Sequence, residues 1–142
     1  MLEMKDLVQA ADWKREKHVP VIEAPDLVKK GEFFQVKVTV GKEIAHPNKT
    51  EHHISGIDVY FHPDGDKFAY KIGSAEFGAH GASTQGPDTS TIYTHHEVIM
   101  SFKTDKPGTL VAMSLCNIHG LWQNSQMIAV EPASVELPSK KS

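Results

Sequence analysis

The sequence predicts an all-β fold, an immunoglobulin-like antiparallel β-sandwich of about seven strands. Three observations predict it. Short stretches alternate apolar and polar residues with period two. Turn signals built from Pro, Gly, Asp and Asn separate them. No stretch carries a convincing long helical period. Such a sandwich is a scaffold and implies no function by itself.

Residues 1 to 17 are polar and mixed, with Leu7, Val8, Ala10, Ala11 and Trp13 among them, and predict a short helix or an irregular arm. His18-Val19-Pro20-Val21-Ile22-Glu23 reads as a short strand whose proline suits an edge or a first position. Pro25 and Lys29-Lys30-Gly31 form a connection. Phe34, Val36, Val38 and Val40 alternate with Gln35, Lys37 and Thr39, a strand with one buried face that Gly41 ends. A polar loop follows, with His46, Pro47 and His52. Ile54 to Phe61 is the next strand, and Pro63-Asp64-Gly65-Asp66 turns it. Phe68, Tyr70 and Ile72 alternate. A Gly/Ser/Thr/Pro-rich loop runs from Gly78 to Ser90, and Val98, Met100 and Phe102 mark another strand. Lys106-Pro107-Gly108 turns into the apolar run Leu110 to Leu115, and Trp122 to Val130 is the last strand. Residues 131–142 read as a flexible tail, and the whole chain, 1–142, as one domain.

At 142 residues the chain buries roughly two thirds of its unfolded surface, enough for a core without covalent staples. Its formal net charge of −3 argues against a sequence-blind nucleic-acid binder, which needs a basic stripe to neutralise phosphates. One cysteine excludes an intramolecular disulfide and any site that needs two thiolates from one chain. No run approaches the roughly 18 consecutive apolar residues of a membrane span. The charged start Met1-Leu2-Glu3-Met4-Lys5-Asp6 lacks the apolar core of a signal peptide, so a cytoplasmic address is the expectation.

The nine histidines beside a single thiol point to metal chemistry. Cys116 and His119 stand three apart at a strand end. In a regular strand they would face opposite ways, so both reach one ion only if the chain turns between them, and Asn117 and Gly120 supply turn chemistry. Alone, Cys116 would read as a buried small hydrophobe; paired with His119, it reads as a two-point metal clip. His46 and His52 close a polar loop that can present two imidazoles to one ion, and Pro47 restricts the backbone of His46. Of the neighbours His52 and His53, an extended chain turns only one toward a given ion. Structural zinc takes four ligands in a closed tetrahedron. Four imidazoles and a thiolate make five, with a sixth position open, which suits redox iron. Cys116, His119 and Met127 with His46 match instead the ligand types of a blue-copper electron carrier on the same kind of sandwich. The residues alone therefore lead to a mononuclear iron or copper redox centre.

Four segments in order are similar to superoxide reductase of the neelaredoxin type: Glu16-Lys17-His18-Val19-Pro20, Gly41-Lys42-Glu43-Ile44-Ala45-His46-Pro47-Asn48, Thr50-Glu51-His52-His53-Ile54 and Cys116-Asn117-Ile118-His119-Gly120-Leu121-Trp122. The resemblance runs from Trp13 to Val130, and the single cysteine fits the one-iron form, which lacks the cysteine-rich domain of the longer desulfoferrodoxins. It implies one non-haem iron, Fe2+/Fe3+, with His18, His46, His52 and His119 as equatorial ligands and Cys116 as the axial thiolate. It implies Glu16 as the carboxylate that takes the sixth position in the oxidised form, and Lys17 as a cation beside the open face. His62, His80, His95 and His96 match no ligand and are expected to be surface or packing residues. Glu16 and His18 would share one face of a regular strand, so the segment is expected to be irregular. The implied reaction is one-electron reduction of superoxide to hydrogen peroxide, an antioxidant detoxification with rubredoxin or a similar donor and a tetrameric assembly.

Overall fold

The computed structural model of the chain describes residues 1–132. A single turn of helix, α1 (Met4–Leu7), precedes eight strands: β1 (Pro20–Glu23), β2 (Leu27–Lys29), β3 (Phe34–Val40), β4 (Ile54–Pro63), β5 (Tyr70–Glu76), β6 (Glu97–Phe102), β7 (Gly108–Cys116) and β8 (Gly120–Glu131). They form a three-stranded sheet of order β1-β3-β6 and a five-stranded sheet of order β2-β8-β7-β4-β5. The predicted all-β sandwich is what the chain builds.

Its core follows from period two. Val36, Val38 and Val40 of β3 face Ile57, Val59 and Phe61 of β4, Leu110 and Ala112 of β7, and Ile128 of β8, all buried in one cluster. Each of the larger side chains among them contributes about 1.5–3 kcal/mol by leaving water. The β4–β7 register sets Phe61 opposite Leu110, Val59 opposite Ala112 and Ile57 opposite Ser114, so one face of both strands is buried, and apolar apart from Ser114. The edge strands escape this rule. On β5 only Ile72 of the expected Phe68, Tyr70 and Ile72 set packs on the core, while Phe68 and Tyr70 are exposed and Phe68 lies before the strand. A register shift between Val59 and Tyr60 marks the β4–β5 pairing.

Two further differences have physical causes. β2 was not expected, and it pairs in parallel with β8, which departs from a purely antiparallel sandwich. Its three residues are too few for an alternation to show. β8 runs past Val130 to Glu131, which pairs with Lys29, so the expected tail begins later than position 131; its residues 133–142 lie outside the described residues. The N-terminal arm is held as well: Gln9 bridges to Trp122 in parallel, with Gln9 N–H donating to the Leu121 carbonyl and Gln123 N–H to the Gln9 carbonyl.

Candidate metal centre

The inward column of β7 is Leu110, Ala112, Ser114 and Cys116, all buried. Alternation alone therefore delivers the Cys116 thiol to one end of the core, where the residue is 1% exposed. Opposite Cys116 in the ladder stands Ile54, so the loop entering β4 with His52 and His53 runs beside the thiol. The β7–β8 hairpin closes on the pair Cys116–Gly120. Gly120 has φ of +81°, the left-handed residue that a three-residue hairpin loop requires. That turn brings His119 back over the sulfur: its amide donates to Sγ at 3.4 Å and its Nδ1 lies 3.7 Å from Sγ.

His18 comes from the turn before β1: the strand begins at Pro20 rather than at His18 as the sequence predicts, and the Glu16–His18 segment is irregular as expected. Its carbonyl accepts a hydrogen bond from the buried Ser114 hydroxyl at 2.9 Å. Its Nε2 lies 3.1 Å from His119 Nδ1. The ligand atoms of His18, His52, Cys116 and His119 all lie within 4.8 Å of one another. His46 arrives on the loop after β3. Gly41, with φ of +81°, permits the approach, because a Cβ there would stand 2.6 Å from the His46 amide nitrogen. The His46 ring is centred 4.9 Å from that of His18 and 4.8 Å from that of His52. Its Nδ1–H donates to the Pro47 carbonyl at 2.6 Å, which leaves Nε2 as the free donor.

These residues fit a metal ion. His46 Nε2 and His52 Nε2 are buried and have no hydrogen-bond partner in the protein. A buried polar atom left unpaired costs about 1–3 kcal/mol, and a metal ion supplies the partner that both lack. Burial, opposed by the Pro47 carbonyl and helped by the neighbouring His18, His52 and His96, lowers the His46 pKa to about 4. Burial also lowers that of His52, with His119 and Lys17 adding to it. Both imidazoles are held neutral at pH 7, the form that binds a metal.

The surrounding residues orient the donors. Glu16 Oε1 accepts from His18 Nδ1–H at 2.6 Å and from the His18 amide at 3.1 Å. A carboxylate on the far nitrogen of an imidazole fixes which nitrogen faces the metal. Burial pushes the Glu16 carboxyl up, but the two His18 hydrogen bonds and the His18 and Lys17 charges outweigh it and hold its pKa below the usual value. Trp122 stacks on His18, with ring centroids 5.0 Å apart and planes at 13°. Its Nε1–H donates to the His119 carbonyl at 3.2 Å, as does Gln9 Nε2 at the same distance.

The sequence signature described as Desulfoferrodoxin matches residues 10–125. This chain belongs to the desulfoferrodoxin family. Among relatives, it is 55% identical over 130 residues to neelaredoxin from Megalodesulfovibrio gigas, covering 92% of this chain and 100% of that protein. It is 53% identical over 121 residues to superoxide reductase from Pyrococcus furiosus, covering 85% of this chain and 95% of that protein. The solved structure of superoxide reductase (neelaredoxin) from Archaeoglobus fulgidus in the reduced form matches with a TM-score of 0.81 and 54% identity, over 87% of this chain and 98% of that one.

Within this desulfoferrodoxin-family chain, His18, His52, His119 and Cys116 form one tight group, with His46 packed against it. Glu16 touches the group through His18, and the Lys17 charge acts on both Glu16 and His52. The other histidines lie elsewhere. His53 stacks on His80 with centroids 3.4 Å apart, His62 bonds the Asp66 carbonyl, and His95 pairs with Glu97. His96 is buried, with its ring 6.0 Å from that of His46. The copper arrangement is not built. Met127 is 75% exposed and pairs with Thr109 at the far end of the β7–β8 hairpin. Seven residue steps of strand separate Thr109 from Cys116, roughly 23 Å at about 3.3 Å per step. The roles of Asn117 and Trp122 were missed: both stand in the quoted Cys116–Trp122 segment, but nothing in the sequence shows what they touch across the fold.

Proposed function

We propose that this chain is a superoxide reductase of the one-iron type, a single domain over 1–142. His18, His46, His52, His119 and Cys116 hold one mononuclear non-haem iron, and Glu16 supplies a carboxylate donor in the oxidised state. The observation that carries the reading is the convergence of one buried thiol and the imidazoles of His18, His52 and His119 within 4.8 Å, with His46 beside them. Iron in such a donor set supplies the single electron by which superoxide, with two protons, becomes hydrogen peroxide.

The protein's own residues do the rest. Cys116 gives a thiolate donor, which pushes electron density toward a metal, and the His119 amide holds the sulfur in place. Ser114, Glu16 and Trp122 hold His18 from its carbonyl, its far nitrogen and its ring face. Lys17 places a positive charge near the site of a chain whose net charge is −3, and a local charge of this kind steers a small anion against the overall field. Its ammonium group also offers donors that can order a water for proton delivery.

In the same reading the electron comes from rubredoxin or a similar small donor, and the protein works in the cytoplasm as a homotetramer. The four sheet edges β1, β6, β2 and β5 and the exposed Ile99 on β6 support self-association. The net charge of −3 speaks against nucleic acid as a partner. Among the described residues no helix is long and apolar enough to cross a membrane. Metal analysis and the visible spectrum of the oxidised protein test the centre. Iron with a broad thiolate band in the red, lost in Cys116→Ser while the fold survives, is expected. A Cys116→Ser protein with the same band and full peroxide formation would overturn the assignment.

A further inference from the structure

Asn117 lies in the turn between Cys116 and His119 and belongs to neither the donor set nor the proton path. Its side chain is spent across the fold, on the loop that carries His52. Nδ2 donates to the Glu51 carbonyl at 2.9 Å, and Oδ1 accepts from the His53 amide at 2.9 Å. Its own amide donates to the His53 carbonyl at 3.2 Å. Glu51 and His53 are the two chain neighbours of His52. A carboxamide is a planar group with one donor side and one acceptor side, and here each side is matched to the backbone on one flank of a ligand. The His52 backbone itself is closed on Lys49, with amides donating to carbonyls in both directions at 2.9 and 3.2 Å. The loop is thus a small rigid unit, and Asn117 is the side chain that ties it to the residue after the thiol.

An asparagine that merely formed the turn would bond locally, within residues 116–120. This one bonds residues 64 and 66 positions away. We propose that Asn117 is a positioning residue that locks the His52 imidazole in register with the Cys116 thiolate, so that the two donors keep one fixed separation. The proposal rests on the metal-centre reading above.

The test uses the full-length, iron-loaded protein with Asn117→Ala and Asn117→Asp. Alanine removes both side-chain bonds. Aspartate keeps the shape and the acceptor for His53 but turns an oxygen toward the Glu51 carbonyl. Losing a residue that orients a ligand costs about 10–100-fold in metal affinity. Both variants should release iron to a chelator at least about tenfold faster than the parent and shift the visible thiolate band. The melting temperature of the metal-free proteins should stay close to that of the parent. Release at the parental rate with an unshifted band in either variant would overturn the proposal. So would faster release accompanied by an equal loss of metal-free stability, which marks a residue that only holds the fold. A parent protein that takes up no iron would overturn the metal-centre reading itself, and the two failures are distinguishable.

Discussion

The buried hydroxyl of Ser114 donates to the carbonyl of His18 at 2.9 Å and so joins the inward column of β7 to the turn that carries the first histidine of the cluster. Ser114 and Cys116 lie two apart on the same face, so one strand anchors His18 by its hydroxyl and supplies the thiol from its end. Ser114→Ala would leave the carbonyl unpaired, at a cost of about 1–3 kcal/mol. Urea unfolding of the metal-free protein should show that loss. Unchanged stability would mean that His18 is held by Glu16 and its ring contacts without Ser114.

The metal-free protein should weaken in acid. Burial lowers the pKa of His46 to about 4, and burial with the nearby His95 and His80 lowers that of His96 to about 4. In the unfolded chain both titrate at about 6.5. Between these values the unfolded state binds more protons than the folded one, so stability is full above pH 6.5 and falls as the pH drops toward 4. Each group contributes a slope of up to about 1.4 kcal/mol per pH unit. Denaturant midpoints at pH 7 and pH 5 check this, and His96→Phe should make the dependence shallower. A flat profile across that range would contradict the burial argument.

Lys17 should act through its charge. Steering by a local charge accelerates association by about 10 to 1,000-fold and fades with salt, and one half-exposed cation belongs at the low end. Lys17→Ala should slow the second-order reaction with superoxide by roughly tenfold and flatten its salt dependence. Lys17→Arg should restore most of the rate, and Lys17→Glu should be slower than alanine. Equal rates for all three at two salt concentrations would leave Lys17 an ordinary surface residue.

Glu16 is bonded to the far nitrogen of His18, and its proposed place as a donor in the oxidised state gives it a second task. Glu16→Ala should leave the first reaction of the reduced protein with superoxide within a few-fold of the parent. In the oxidised form it should shift the visible spectrum and admit azide or cyanide more readily. Complete loss of iron in this variant would instead make Glu16 a structural ligand.

How much of this was legible depends on what each residue must satisfy. β3 announces itself by its alternation, whereas β7 reads in the sequence only as an apolar run from Leu110 to Leu115; the alternating burial that places Cys116 inward shows in the fold. The thiol, its partner His119 and the loop with His46 and His52 were visible as residue types at telling positions, and the family resemblance named the rest. β2 was hidden because three residues carry no period. Asn117, Trp122 and Ser114 were hidden for another reason. An asparagine in a turn, a tryptophan in a strand and a serine on an apolar face look ordinary until the fold shows what each one touches beside the cluster.

The most direct measurement is the product balance when the reduced, iron-loaded protein meets superoxide. Peroxide and oxygen are both counted, with the oxidation state of the protein followed by its visible band. Reduction predicts one peroxide for each superoxide consumed, no oxygen evolved, and one oxidised centre for each turnover. Oxygen appearing in step with peroxide, with the centre unchanged at the end, would mean dismutation and would contradict the account.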